Sequence, residues 1–125
     1  MGTVLVVDDE FGIADLIDAI LVDEGHRVVI AVNGRQGLEV LAKEHPDLVF
    51  LDYMMPVMDG ATMLRAMGED ASLQSIPVVL MSSIPEATLA ERCMGYVSFL
   101  RKPFKVTDVT ALAARLIGKN PASTS

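Results

Sequence analysis

A chain of 125 residues fits one domain with a real core. Although 51% of it is apolar and its mean hydropathy is +0.42, no apolar run approaches the ~20 residues of a membrane span. The net charge of −7 and the absence of tryptophan argue against direct nucleic-acid binding, which needs a basic footprint and stacking platforms, and favour cations and partners with basic patches. Cys93 is the single cysteine, so an intrachain disulfide is ruled out and a reducing, cytoplasmic setting is expected, with the thiol packed as a small hydrophobe. Met1-Gly2-Thr3 has no basic stretch before a long apolar segment, so no secretory signal is expected.

Taken in order, Thr3 to Val7 is apolar and β-branched and predicts a strand, followed by Asp8-Asp9-Glu10. Ile13, Leu16, Ile17, Ile20 and Leu21 form a helical stripe between Glu10 and Glu24, stopped by Gly25. His26 to Val32 predicts a second strand, Asn33-Gly34 a turn, and Gly37, Leu38 and Leu41 a short second helix ending before Pro46. Asp47 to Asp52 predicts the third strand, in which four apolar residues, Leu48 to Leu51, end on one carboxylate. Gly60 to about Met67 predicts a third helix with Asp59 as its cap. Ile76 to Met81 predicts a fourth strand, Pro85 to about Cys93 a short fourth helix, and Tyr96 to Leu100 a fifth strand. Val109, Leu112, Ala113, Leu116 and Ile117 mark a last helix, closed by Gly118. Residues 1–118 thus read as one domain, and 119–125 as a disordered tail.

Five strands alternate with five helices, and the strands are nearly continuous apolar runs. That pattern predicts an α/β fold, a doubly wound parallel sheet with helices on both faces. Ligands of such sheets bind beyond the carboxyl ends of the strands. Asp8 and Asp9 stand after the first strand, Asp52 at the end of the third, Ser82 after the fourth, and Lys102-Pro103 after the fifth. Three close carboxylates repel one another and call for a proton, a lysine or a metal. Mg²⁺ suits them, since it takes carboxylate oxygens and keeps waters for a phosphate ligand. A metal, a lysine and a hydroxyl around one carboxylate are what phosphoryl transfer to Asp requires. The alternative for Asp8 and Asp9, and for Asp52, is capping of the following segment.

In these residues the chain resembles the receiver domain of bacterial two-component response regulators, of the single-domain, chemotaxis type. The motifs that carry the resemblance are Asp8-Asp9, the run from Leu51-Asp52 through Met54-Met55-Pro56 to Met58-Asp59-Gly60, Ser82, and Phe99 with Lys102-Pro103-Phe104. The resemblance covers about residues 3 to 117. It implies a flavodoxin-like sheet of five strands in the order 2-1-3-4-5. It implies that Asp52 accepts the phosphoryl group, with Mg²⁺ held by Asp9, Asp52 and the backbone carbonyl of Met54, and by Asp8 through water. It further implies that Lys102 contacts the phosphoryl group, that Ser82 is the switch hydroxyl, and that Phe99 is the aromatic that repacks with it. The donor would be a sensor histidine kinase or a histidine phosphotransfer protein, and the output a changed affinity for a downstream protein target, with no nucleic acid or membrane engaged directly. Two departures from the family pattern stand out. The stretch from Ser82 to Gly95 is slightly short, so the fourth helix is expected to be short or skewed, and Phe99 stands where many receivers have Tyr.

The rival reading is enzymatic, a metal-dependent phosphohydrolase working through an aspartyl-phosphate. Such enzymes usually place a second acid two residues after the nucleophile, and here that residue is Met54. Glu10 reads as a first-turn helix residue, Asp59 as a cap, His26 and His45 as surface residues. The side chains of Met54, Met55 and Met58 read as rim and packing groups, because a hard cation does not seek thioethers.

Overall fold

The computed structural model describes residues 2–118. The tail expected at 119–125 lies outside the described residues. The elements, in chain order, are β1 (Thr3–Val7), α1 (Phe11–Asp23), β2 (Arg27–Ala31), α2 (Gly34–Glu44), β3 (Leu48–Asp52), α3 (Gly60–Gly68), β4 (Val78–Ser82), α4 (Glu86–Leu89), β5 (Ser98–Arg101) and α5 (Val106–Gly118). The sheet is parallel throughout, in the order β2-β1-β3-β4-β5. The expected doubly wound α/β architecture and strand order are therefore what the chain adopts.

Successive strand side chains point to opposite faces of a sheet, and here both faces are dry. Leu5, Val7, Val49, Leu51, Val78 and Leu80 share one apolar layer with Leu41 of α2, Met63 and Met67 of α3 and Leu89 of α4. Val4, Val6, Leu48, Phe50, Val79 and Met81 share the other with Ile17 and Leu21 of α1 and Val109, Ala113 and Ile117 of α5. Two-sided burial explains why β3 reads LVFLD and β4 reads VVLMS, runs with no polar alternation. It also explains why the polar residues of β3 and β4, Asp52 and Ser82, stand only at the last position of each strand.

Four elements differ from expectation, among them β5, which runs Ser98–Arg101 where Tyr96 to Leu100 was expected. α2 starts at Gly34, not near Gly37, because Asn33 caps it by accepting from the Gln36 N–H at 2.8 Å. Gly34 is also where α2 meets the loop after β3. Its N–H donates to Met58 O at 3.0 Å, and a Cβ there would lie 2.8 Å from that oxygen. β4 begins at Val78 rather than Ile76, although Pro77 O still accepts from Val49 N at 3.0 Å. α4 is a single turn, Glu86–Leu89, where a helix to about Cys93 was expected. The segment then proceeds by turns to Gly95, whose φ of +97° is left-handed. Leu89 and Cys93 remain buried and fasten it to the core. Asp59 caps α3 as expected, accepting from the Thr62 N–H at 2.9 Å.

Candidate functional site

The carboxyl edge of the sheet gathers the residues that the strand ends deliver. β1 and β3 are adjacent and in register up to Val7 and Leu51, so Asp8 and Asp52 follow side by side. Both are buried, with 0% and 4% of their surface exposed. β4 pairs with β3 as far as Asp52 opposite Met81, which sets Ser82 one residue further on, also buried. The Lys102 N–H donates to Ser82 O at 2.9 Å, carrying the β4–β5 pairing one step past the strands. The Lys102–Pro103 peptide is cis.

Lys102 Nζ stands at the centre. It donates to Asp8 Oδ2 at 3.0 Å and to Glu10 Oε1 at 3.0 Å, and lies 3.1 Å from Asp52 Oδ1. Burial by itself would lower the lysine, but Glu10, Asp8 and Asp52 around it outweigh that and hold its pKa above the ordinary range. The Asp52 carboxyl is pushed up to about 7, first by burial and then by the charge of Asp8, with Lys102 opposing both. A carboxylate so placed is short of positive charge. Asp8, Glu10 and Asp52 bring one oxygen each within 4.8 Å of one another, a set of hard oxygen donors that fits a divalent cation such as Mg²⁺.

Asp9 does not join that set. It is exposed and faces the adjoining cleft of about 500 Å³, together with Tyr53, Met54, Ile84 and Arg92. Met54 follows Asp52 by two residues, and its side chain is exposed at the cleft rim. Ser82 Oγ accepts from the Ile84 N–H at 2.9 Å. Phe99 is half-buried in β5, paired opposite Leu80, and it also borders a groove between β5 and α5 with Arg101, Leu112 and Arg115. The structure thus brings Asp8, Asp52 and Lys102 into direct contact. Asp9 and Met54 stand on the rim, Ser82 at the neighbouring strand end, and Phe99 further along β5.

Two features went unread in the sequence. Glu10 occupies the N-cap position of α1 in an extended conformation, rather than the first turn, and its side chain makes no capping bond. It reaches back to Lys102 instead, while its own N–H donates to Asp8 Oδ1 at 2.9 Å. The only sequence signal was a third acid directly after Asp8-Asp9. Tyr53 is the other: it is buried beside Leu89 and Cys93, and its hydroxyl accepts from Arg92 at 3.3 Å. That bond ties the residue after Asp52 to the turns beyond α4. His26 and His45 lie away from this edge. His26 Nδ1 accepts from Gly2 N at the opposite end of β1, and His45 closes α2 in a left-handed conformation.

Residues 4–114 match the response regulator receiver domain family model. The two-component response regulator ORR3 of Oryza sativa subsp. japonica is 39% identical over 93% of this chain and 91% of its own length. Sporulation initiation phosphotransferase F of Bacillus subtilis is 33% identical over 85% and 86%, respectively. Response regulator Rre1 of Synechocystis sp. is 35% identical over 97% of this chain, which spans about half (54%) of that longer protein. Among solved structures, the receiver domain of a signal transduction histidine kinase from Syntrophus aciditrophicus superposes with a TM-score of 0.87 at 29% identity, covering 97% of this chain and 93% of that one. The receiver domain of the sensor histidine kinase PA1611 of Pseudomonas aeruginosa PAO1, solved with a magnesium ion in its active-site cleft, also gives 0.87, at 25% identity over 94% of this chain and 98% of that one. The acidic strand ends and their lysine stand at the edge of a sheet with the receiver topology, and by sequence and fold alike this chain belongs to the response regulator receiver domain family of two-component signalling.

Proposed function

We propose that Asp52 is the phosphoacceptor of this receiver domain and that its phosphorylation is the signal. The observation that carries the proposal is the buried Asp52 carboxylate, 3.1 Å from Lys102 Nζ and packed against a second buried acid, Asp8. Receiver domains accept phosphoryl groups from histidine kinases or phosphotransfer proteins, and we take one of these as the donor here. Asp52 attacks the donor phosphorus in line, its carboxylate oxygen forming the new P–O bond as the bond to the donor breaks. Lys102 stays charged throughout and supplies N–H donors to the transferred oxygens. Asp8, Asp9, Asp52 and the Met54 carbonyl are the groups we assign to Mg²⁺, with Glu10 a further carboxylate within reach. Bound Mg²⁺ supplies charge neutralisation of the acids and of the phosphoryl oxygens.

Ser82 is the hydroxyl placed to follow the phosphoryl group. At rest its Oγ is engaged with the Ile84 N–H, so drawing it toward Asp52 alters the start of the β4–α4 segment. Phe99, half-buried on the neighbouring strand, is the side chain we assign to repack in response. The outcome is a population shift between two packings, biased by contacts that only the phosphorylated form makes. The output is altered binding of a downstream protein target in the cytoplasm. Asp52→Asn is expected to abolish labelling by a small phosphodonor in Mg²⁺. Labelling that persists in this variant would refute Asp52 as the acceptor. Labelling that stops near one phosphate per chain, without steady turnover of a phosphoester, separates this reading from a phosphohydrolase.

A further inference from the structure

An ammonium has three N–H donors and no more. Around Lys102 Nζ stand three carboxylate oxygens at 3.0, 3.0 and 3.1 Å, from Asp8, Glu10 and Asp52. Two of its N–H donors are therefore committed to Asp8 and Glu10, and the third faces Asp52, before any phosphoryl group arrives. A phosphoryl group on Asp52 can take that third donor, but a second of its oxygens can be bonded only if Asp8 or Glu10 lets go.

The three are not equally releasable. Asp8 is fully buried, so water cannot readily take the place of the lysine there. Asp52 carries the phosphoryl group and stays beside the lysine. The Glu10 side chain is 61% exposed, so water can replace the lysine at little cost, as for exposed ion pairs in general. Glu10 is also free of other duties in the fold, since it sits at the N-cap of α1 without making a side-chain capping bond.

We propose that Glu10 is the releasable counter-ion of Lys102: it holds the ammonium at rest and yields its N–H to an oxygen of the phosphoryl group on Asp52. This rests on Asp52 being the acceptor. No proton changes hands; one N–H···O bond is exchanged for another, and Lys102 remains an ammonium. Glu10 is a positioning residue, acting on the phosphoryl group only through Lys102. Its release also removes a negative charge from the neighbourhood of the phosphoryl oxygens. The freed carboxylate then stands at the start of α1 beside Phe11, itself 71% exposed, so the exchange changes the surface at that helix start.

The test uses the full chain with Mg²⁺ and beryllofluoride as the phosphoryl mimic, with the Glu10 side-chain carboxyl carbon followed by NMR. On adding beryllofluoride, that carbon should move toward the position of a solvated glutamate. Glu10→Gln and Glu10→Asp, the second keeping the charge on an arm too short to reach Lys102, should both accept phosphate from acetyl phosphate roughly two- to fivefold faster than the parent. Both should still bind Mg²⁺, weakened by less than about tenfold by the loss or withdrawal of one nearby carboxylate. An unmoved Glu10 carbon overturns the proposal. So does acceleration in Glu10→Gln alone, which would mean that only net charge matters. A loss of Mg²⁺ affinity of tenfold or more in both variants would make Glu10 a metal ligand and overturn it too. Asp52→Asn is the separate control: a beryllofluoride response that survives there refutes the acceptor, whereas a lost response there together with a stationary Glu10 carbon in the parent refutes only the release.

Discussion

Burial beside a second acid moves Asp52 far from where a carboxylate ordinarily titrates. Its carboxyl is raised from 3.8 to about 7, by burial and by Asp8. The folded chain therefore holds this proton more tightly than the unfolded chain does. The stability it contributes is fully present below about pH 4 and is lost as pH rises through about 7. In metal-free solution the parent should lose on the order of 3 kcal/mol between these limits relative to Asp52→Asn, which has nothing to titrate there. Urea denaturation of both proteins in chelator at pH 5 and pH 8 measures it, and parallel behaviour would place the raised carboxyl elsewhere. A second residue carries strain of another kind. Val57 has φ +70°, a conformation that costs an L residue about 1–2 kcal/mol and suits a β-branched one least. Its side chain is 75% exposed, so little packing is lost on removal. Val57→Gly should raise stability by about 0.5–1 kcal/mol after the extra chain entropy of glycine is deducted, read as a higher denaturation midpoint at unchanged slope.

At the scale of elements, the site depends on how tightly the loop after β3 is held against its neighbours. Gly60 opens α3 directly beneath Asp52, with its N–H donating to Tyr53 O at 2.9 Å. A Cβ there would lie 2.5 Å from Asp52 O and 2.9 Å from Tyr53 Cα, both backbone atoms that cannot turn aside. Gly60→Ala should therefore cost about 1–3 kcal/mol and displace Asp52. Gly12 in α1 meets nothing within 4 Å, and Gly12→Ala should instead gain up to about 1 kcal/mol from helix propensity. The pair, measured side by side by thermal unfolding, separates close packing from a general dislike of substitution. Much of this was legible beforehand. The α/β class and the placing of Asp8, Asp52, Ser82 and Lys102 at one sheet edge follow from apolar runs that alternate with helical stripes and end on polar residues. The Asp59 cap follows from an acid just before a helix start, and the strand order comes only from the resemblance to receiver domains. What local pattern does not encode is the reach of a side chain across elements. Glu10 looks like any first-turn acid until Lys102 comes back 92 residues later. A short α4 was expected from the shortened stretch between Ser82 and Gly95, but not its reduction to one turn, because Leu89 and Cys93 keep helical spacing while the backbone between them already turns.

For the molecule as a whole, the acidic edge couples folding, protons and metal. The chain carries a net charge of −7, and part of that repulsion is concentrated where Asp8, Glu10 and Asp52 share one ammonium. Two positive charges brought by a cation relieve it in the folded state only, since the unfolded chain does not assemble the set. Mg²⁺ should therefore raise the melting temperature of the parent, and raise it less in Asp52→Asn. The cation competes with the proton for Asp52. Above about pH 7 the carboxylate is free to bind, and below it the apparent Mg²⁺ affinity should fall roughly tenfold per pH unit. Calorimetric titration at pH 8.0 and 5.5 is then expected to show affinities differing by about thirtyfold, with a proton released on binding at the lower pH. Asp52→Asn should bind more weakly at both and lose most of the difference. Equal parental affinities at the two values would mean that the group raised to about 7 is not one the metal displaces a proton from, and the coupling between Asp52 and the cation would have to be given up.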